Sequence, residues 1–303
     1  MNDHKVSVIV PVYNGEKYIK KLLNSLMSLN YPEDSYEIIV VDNNSIDNTM
    51  EIIKKYPVKL LEEKEIQSSY AARNKGIQQS KYDILAFTDA DCIVDKNWLK
   101  EGIKPIVNGD ADLVGGKVEF YFSKKKTIAE LYDSITHMQI ENNVNERNVA
   151  KTANLITKKK IFKEIGLFPD NVQSGGDVQW TGKATINGFR LVYGSKIVVL
   201  HPARTLGEMI KKQYRVGKGM PLIWKNSKGM ANQRPFIIQI IRLVLPRRIS
   251  TLRKQIIKDK ANAEIMMKRL FKIWLFSYFC KLSSFFGVIS YYISRKNNGN
   301  KAN

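Results

Sequence analysis

Two aspartates one residue apart, Asp89 and Asp91, close the apolar run in "LAFTDADC" at positions 85–92. Carboxylates held this close repel each other, so a positive charge between them is the natural complement. A hard divalent cation such as Mn²⁺ or Mg²⁺ prefers carboxylate oxygens and keeps places for phosphate and water. Two solvated acids in a loop would read the same way alone, so the surrounding residues carry the weight. Asp42 ends the apolar "IIVV" of 38–41. There it can accept from a base N–H or a ribose hydroxyl, or form an Asx turn within "DNNS". Arg73 in "AARNKG" either makes paired contacts with phosphate oxygens or is an ordinary surface arginine. Asp177 follows two glycines in "SGGDVQW", where it suits the start of a helix and stays ionised beside the helix dipole.

The elements needed to bring these side chains together are legible upstream and downstream of each. "KVSVIVPV" (5–12), "YEIIVVD" (36–42), "VKLLE" (58–62) and "YDILAFTD" (82–89) are apolar, largely β-branched strands. Helical patterns separate them, one carrying Tyr18, Ile19, Leu22, Leu23 and Leu26, another running over 68–79. This alternation predicts an α/β, Rossmann-like fold with a mainly parallel central sheet and helices on both faces. Ligands of such sheets bind outside the carboxyl ends of the strands. Three of those ends turn polar here: Pro11 to Asn14, Asp42 to Asn44, and Asp89 with Asp91.

Charge divides the chain unevenly. Residues 1–200 hold 27 Lys/Arg against 26 Asp/Glu, whereas residues 201–303 hold 22 against three. The basic third calls for a polyanion, either nucleic acid or an anionic membrane face. Its apolar runs, "PFIIQIIRLVLP" (235–246) and "IWLFSYFCKLSSFFGVISYYIS" (273–294), favour lipid. Lys281 interrupts the second run, so both are expected to be amphipathic, interfacial or re-entrant, with a single tilted span as the alternative. Cys92 and Cys280 are the only cysteines and lack any CxxC spacing. That argues against a disulfide scaffold or zinc site and for a reducing compartment. The polar start "MNDHK" shows no signal-peptide h-region.

Taken in order, "VSVIVPVYNG", "IIVVDNNSIDNT", "AARNKGI" and "FTDADC" resemble the motifs of family 2 glycosyltransferases with the GT-A fold. The likeness continues through "AKTANLITKKKIFKEIGLFP", "SGGDVQWTGKATINGFRLVY" and "VVLHPARTLGEMIKKQYRVGKG", covering about 5–219. It implies a GT-A domain over 1–219, while charge and the apolar runs make 220–303 a basic, helical, membrane-associating region. It also implies that Pro11, Tyr13 and Asp42 hold the base and ribose of a nucleotide-sugar, with Arg73 near base and phosphates. Asp89 would meet the ribose or a metal-bound water, and Asp91 would ligate Mn²⁺ or Mg²⁺ on the diphosphate. Asp177 would be the general base that deprotonates an acceptor hydroxyl for a single inverting displacement. His201 is either a further metal or phosphate ligand or a structural histidine before Pro202. Asn154, in "TAN", is either a sugar- or acceptor-contacting residue or an edge-strand asparagine.

One departure bears on the reaction. Processive relatives carry a QxxRW motif, whereas "QYRVGKG" sets Gln213 and Arg215 too close together and has no Trp. The resemblance therefore implies a non-processive enzyme of hexosyltransferase type, with Arg204, Arg215 and Lys218 near the diphosphate or a lipid phosphate. The expected partners are a nucleotide-sugar, probed first as UDP-sugar, a saccharide or lipid-linked acceptor, and an anionic membrane surface met by residues 220–303. No nucleic acid is expected, and the site of work is the cytoplasmic, inner face of the membrane. Two rival readings are a nucleotidyltransferase and a non-catalytic relic with a polyanion-gripping tail. "PVYNGEKY" lacks the Gly-rich, Lys/Arg-bearing loop the first would need, and intact Asp42, Asp91 and Asp177 oppose the second.

Overall fold

The computed structural model describes residues 4–172, 174–226, 236–259 and 261–299. In chain order the elements are β1 (Val6–Val12), α1 (Ile19–Met27), β2 (Tyr36–Asp42), α2 (Thr49–Ile53), β3 (Lys59–Glu62), α3 (Ser69–Gln79), β4 (Ile84–Thr88), β5 (Ile93–Val94) and α4 (Trp98–Val107). Then follow β6 (Leu113–Tyr121), α5 (Ile128–Thr136), α6 (Ile140–Arg147), β7 (Asn154–Lys158), α7 (Lys160–Ile165), α8 (Gly176–Ile186) and β8 (Leu191–Pro202). The last helices are α9 (Leu206–Asn226), α10 (Phe236–Val244), α11 (Ile249–Lys258), α12 (Ala263–Lys268) and α13 (Leu270–Gly299).

The chain forms two compact units. The first comprises 1–121, 138–171 and 176–202, the second 122–137, 172–175 and 203–303. All eight strands lie in the first unit, in the order β3-β2-β1-β4-β7-β6-β8-β5. The β3, β2, β1 and β4 neighbours pair in parallel, as the alternating pattern predicts. Beyond β4 the sheet is mixed: β7 is antiparallel to both β4 and β6, β8 runs parallel to β6, and β5 pairs antiparallel with β8. Every residue of β1 is buried, because a central strand covered on both faces needs an unbroken apolar run. On α1, Ile19, Leu22, Leu23 and Leu26 recur at three- and four-residue spacing and pack with Val8, Val10 and Trp98 in one core.

The second unit is helical and has its own core. Leu131, Tyr132 and Ile135 of α5 pack with Met209 of α9, Leu252 and Ile256 of α11, Met266, and Ile273, Phe276 and Cys280 of α13. Helix α5 is firmly started: Thr127 accepts from the Glu130 amide while the Glu130 carboxylate accepts from Thr127 and Ser123 amides, a reciprocal cap. Asp133 is the buried charge of this unit. It accepts from His137 Nδ1 at 2.8 Å and from the Arg204 guanidinium and amide at 3.2 and 3.0 Å, with Lys212 Nζ 3.7 Å away. Arg204, expected from its sequence position to face a phosphate, is thus committed to a carboxylate.

Helices α9 and α13 approach backbone to backbone. A methyl on Gly217 would lie 2.0 Å from the Ser284 carbonyl oxygen, and one on Gly287 would lie 2.2 Å from that of Tyr214. Ser283 Oγ donates to the Ile210 carbonyl at 2.9 Å, and Ser284 Oγ to Gln213 Oε1 at 3.1 Å. Small residues at the crossing allow this closeness. Over Leu270–Ser294, α13 is long and apolar enough to cross a membrane, and 39% of its most apolar window is buried within the protein. The two apolar runs foreseen in the sequence are therefore α10 and the body of α13.

Candidate active site

The polar strand ends meet as neighbours because β2, β1 and β4 are adjacent and in register, with Val12 opposite Asp42 and Ile9 opposite Phe87. The turn after β1 and the segment after β2 are laced together. Gly15 N donates to Thr49 Oγ1 at 2.8 Å and Ile46 N to Asn14 Oδ1 at 2.9 Å, while Glu16 accepts from Asn48 at 3.1 and 3.2 Å. Asn43 anchors the same rim, donating from Nδ2 to the carbonyls of Glu63 and Ile66 at 2.9 and 2.8 Å.

On this rim Pro11 is buried in β1, opposite Val41, and Tyr13 stands out at 52% exposure. Asp42 is buried and spends only one oxygen of its carboxylate within the fold. Oδ2 accepts from Ser45 N at 2.9 Å, the Asx-type contact, while Oδ1 is buried with no hydrogen-bond partner. An orphaned buried carboxylate oxygen is costly, and a ligand N–H or O–H would relieve it.

Arg73 is not a surface residue. It is 4% exposed, and its guanidinium pairs with Asp89 Oδ1 at 2.5 Å and donates to the Ser69 carbonyl at 3.2 Å, leaving Nε without a partner. Its neighbour Asn74 exchanges two hydrogen bonds with the backbone of Phe168, at 2.9 and 3.1 Å, which fixes this helix face. Asp89 and Asp91 therefore part company: the first is neutralised by Arg73, and the second faces His201.

His201 Nε2 lies 3.4 Å from Asp91 Oδ2, and Nδ1 lies 2.7 Å from the Pro202 carbonyl oxygen. That carbonyl can only accept, so Nδ1 donates to it and Nε2 is turned to the Asp91 carboxylate. Ligand atoms of Asp91, His201 and Cys92 all fall within 4.8 Å of one another. Burial, then the Asp91 and Asp89 charges, push the Cys92 thiol well above its usual range, so it stays protonated. A carboxylate and an imidazole whose other nitrogen is held by a carbonyl fit Mn²⁺ or Mg²⁺, the harder ion through the carboxylate.

Asp177 sits in the first turn of α8. Its Oδ1 accepts from the Tyr70 hydroxyl at 3.2 Å and from Val178 N at 2.9 Å, and its Oδ2 from Thr152 N at 3.3 Å. The preceding glycines are required: Gly175 has φ of +82°, and a methyl on Gly176 would press to 3.0 Å on the Tyr70 ring. Burial, then the Asp177 charge, raise the Tyr70 phenol far above its ordinary value, so it acts as a donor. Trp180, stacked on Phe162 with centroids 4.1 Å apart and donating to the Gly166 carbonyl at 2.7 Å, holds the helix in place.

Asn154 is placed differently from either expectation. Its strand, β7, lies between β4 and β6 rather than at an edge. It is 0% exposed, accepts from Trp98 Nε1 at 2.9 Å and donates to the carbonyls of Lys117 and Ile197 at 2.8 and 2.9 Å. With both amide hydrogens spent inside the fold, it stitches the sheet together and offers nothing outward.

Residues 7–166 match the family described as Glycosyl transferase family 2. The chain is a family 2 glycosyltransferase. This transferase is 41% identical over 294 residues to glycosyltransferase AglE of Haloferax volcanii, across 94% of this chain and 95% of that one. It is 29% identical over 222 residues to the poly(ribitol-phosphate) beta-N-acetylglucosaminyltransferase TarS of Staphylococcus aureus, across 69% of this chain and 37% of that longer one. Among solved structures, mannosyltransferase PcManGT of Pyrobaculum calidifontis, in complex with GDP-Man and Mn²⁺, superposes with a TM-score of 0.63 at 17% identity over 95% of this chain and 86% of that one. TarS 1–349 in complex with UDP-GlcNAc superposes with 0.55 at 20% identity, over 96% and 92%. These likenesses establish the GT-A fold, and the nucleotidyltransferase and relic readings fall away.

Several residues around this candidate site carry no signal in a bare sequence. Tyr70 and Thr152 reach Asp177 only through the fold. Tyr121, at the end of β6, has a buried hydroxyl without a partner, and burial first, then Tyr18, Asp91 and Cys92, push its phenol up to about 12. Tyr70 alone left a trace, three residues before Arg73 on a helix face of small residues.

Proposed function

We propose that this transferase moves one hexose-type sugar from a nucleoside diphosphate-sugar, a UDP-sugar in the first instance, to a hydroxyl of a saccharide or lipid-linked acceptor, with inversion. The observation that carries the donor side is the orphaned Asp42 Oδ1, a buried acceptor at a strand end beside exposed Tyr13. Asp42 accepts from the base or ribose, Tyr13 lies against the base, and Pro11 shapes the strand end beneath. Arg73, with an unspent Nε, and Asp89 complete the nucleotide's surroundings. Asp91 and His201 would hold the divalent ion, which when bound offsets charge on the leaving diphosphate. Asp177 removes the acceptor hydroxyl's proton, while Tyr70 and the Thr152 amide keep its carboxylate oriented.

The enzyme works at the inner, cytoplasmic face of a membrane, with residues 220–303 on the anionic surface. Support comes from the 22 Lys/Arg against three acids beyond residue 200, and from exposed Ile237, Ile241, Phe271, Phe279 and Phe286. Calorimetric titration of UDP, GDP, CMP and dTDP, with and without Mn²⁺, tests the donor reading on wild type and Asp91→Ala. One nucleotide should bind, dependent on Mn²⁺, and the Asp91→Ala protein should lose at least about tenfold in affinity. Preference for GDP would correct the base. Folded protein that binds none of the four would sink the reading.

A further inference from the structure

The second unit contains a cavity of about 700 Å³ lined by four cationic residues: Arg242 in the last turn of α10, Arg247 and Arg248 in the connector to α11, and Lys281 in α13. No carboxylate lines it, and among the described residues none of the four is in an ion pair. Leu243, Leu245 and Pro246 supply an apolar wall, and Thr251 adds a hydroxyl. Cations gathered without a counter-charge repel, and an anion that joins them relieves that repulsion. Burial, then the Arg247 charge, push the Lys281 ammonium below its ordinary value, as such crowding requires.

The cavity is also rigidly built. Lys281 Nζ donates to the Leu245 carbonyl at 2.5 Å, and Trp274 Nε1 donates to that of Arg247 at 2.7 Å, so α13 pins the connector at two points. The Arg247 guanidinium lies 5.9 Å from the centre of the Tyr132 ring. Arg248 precedes the first residue of α11 and gives that helix no side-chain cap, and Thr251 of its first turn lines the same space. The volume exceeds what a single phosphate fills and suits a ligand of small-molecule size. Exposed Ile238, Ile241 and Ile249 flank it on the same helices.

We propose that this cavity binds a phosphate or diphosphate head group borne on an apolar chain, with Arg242, Arg247, Arg248 and Lys281 as its ligands. Arginine forks match phosphate oxygens in pairs, and the flanking isoleucines accept the chain. Only the identity of that ligand as the sugar acceptor rests on the function proposed above; the site itself does not.

The test compares Arg242→Gln/Arg248→Gln with Lys254→Gln/Lys258→Gln, which removes equal charge from exposed positions outside the cavity. Binding of the full chain is measured in three arms: soluble pyrophosphate, phosphatidylcholine vesicles with phosphatidylglycerol, and the same vesicles with a polyprenyl monophosphate at matched charge. Loss of about tenfold or more confined to the cavity variant supports the site, and the arm showing it identifies the source. An equal loss in both variants, or no saturable binding in any arm, overturns it. Arg242 and Arg248 are exposed, so the variant should fold, and Arg247→Gln serves as a second probe with circular dichroism as the check. Nucleotide binding on the same samples separates the two proposals: retained nucleotide binding without phosphate binding removes this site alone.

Discussion

At the residue scale, the carboxylates differ most in what already holds them. Asp177 has three donors fixing its orientation and none that is a cation, which leaves its charge available to take a proton. Asp177→Asn keeps the shape and removes the base, so steady-state kinetics should show kcat falling about 10²–10⁴-fold with donor KM nearly unchanged. A parallel rise in KM would instead assign Asp177 to donor binding. Asn154 makes the opposite case. Asn154→Ala strands the Trp98 N–H and two buried carbonyls, and urea denaturation should show a loss of about 3 kcal/mol or more, with activity per folded molecule preserved. The sequence places Asn154 in a suggestive "TAN", but only the central position of β7 reveals that its amide is consumed by the fold. Conversely, at Asp42 the Asx-type contact takes one oxygen and leaves the other open, a division that no spacing of letters could express.

At the element scale, legibility followed covalent neighbourhood. Strands β1 to β4 and helix α3 were readable because an apolar run or a helical period is local, and the residues ending them declare the ligand edge. The lacing of the 13–16 turn to 45–49 and the mixed half of the sheet were not, because they depend on pairings between distant segments. The α9–α13 crossing is of this second kind. "GKG" reads as a helix terminus, yet α9 continues through it to Asn226, and its Gly217 is where another backbone comes to rest. Gly287→Ala should therefore destabilise the helical unit by about 1–3 kcal/mol through overpacking. Gly207→Ala, with nothing within 4 Å of the added methyl, should be neutral or stabilising by up to about 1 kcal/mol. Paired thermal melts decide it; equal effects from the two substitutions would deny the crossing its importance.

At the scale of the whole molecule, acid should be the effective denaturant of the helical unit. Burial would raise the Asp133 carboxyl, but the His137 hydrogen bond, Lys212 and Arg204 outweigh it and hold it far below the usual carboxylate range. A depressed folded value means that its contribution is present above the unfolded carboxylate's value of about 3.9 and is lost as pH falls below it. Glu130, in the same unit, is lowered too and acts in the same direction. Urea unfolding between pH 3 and 7 should show stability falling steeply below about pH 4. Asp133→Asn should cost about 3–5 kcal/mol at neutral pH and flatten the acid limb. An unchanged limb would move the acid sensitivity elsewhere. The division of the helical unit also has a consequence for synthesis. Its α5 leaves the ribosome between β6 and β7, already carrying its cap, but Leu252, Ile256, Ile273 and Phe276, against which it packs, are translated much later. Throughout that interval the nascent chain displays a bare apolar helix face. Yield should therefore depend on how fast translation runs and on what shelters that face meanwhile, be it a chaperone or a bilayer.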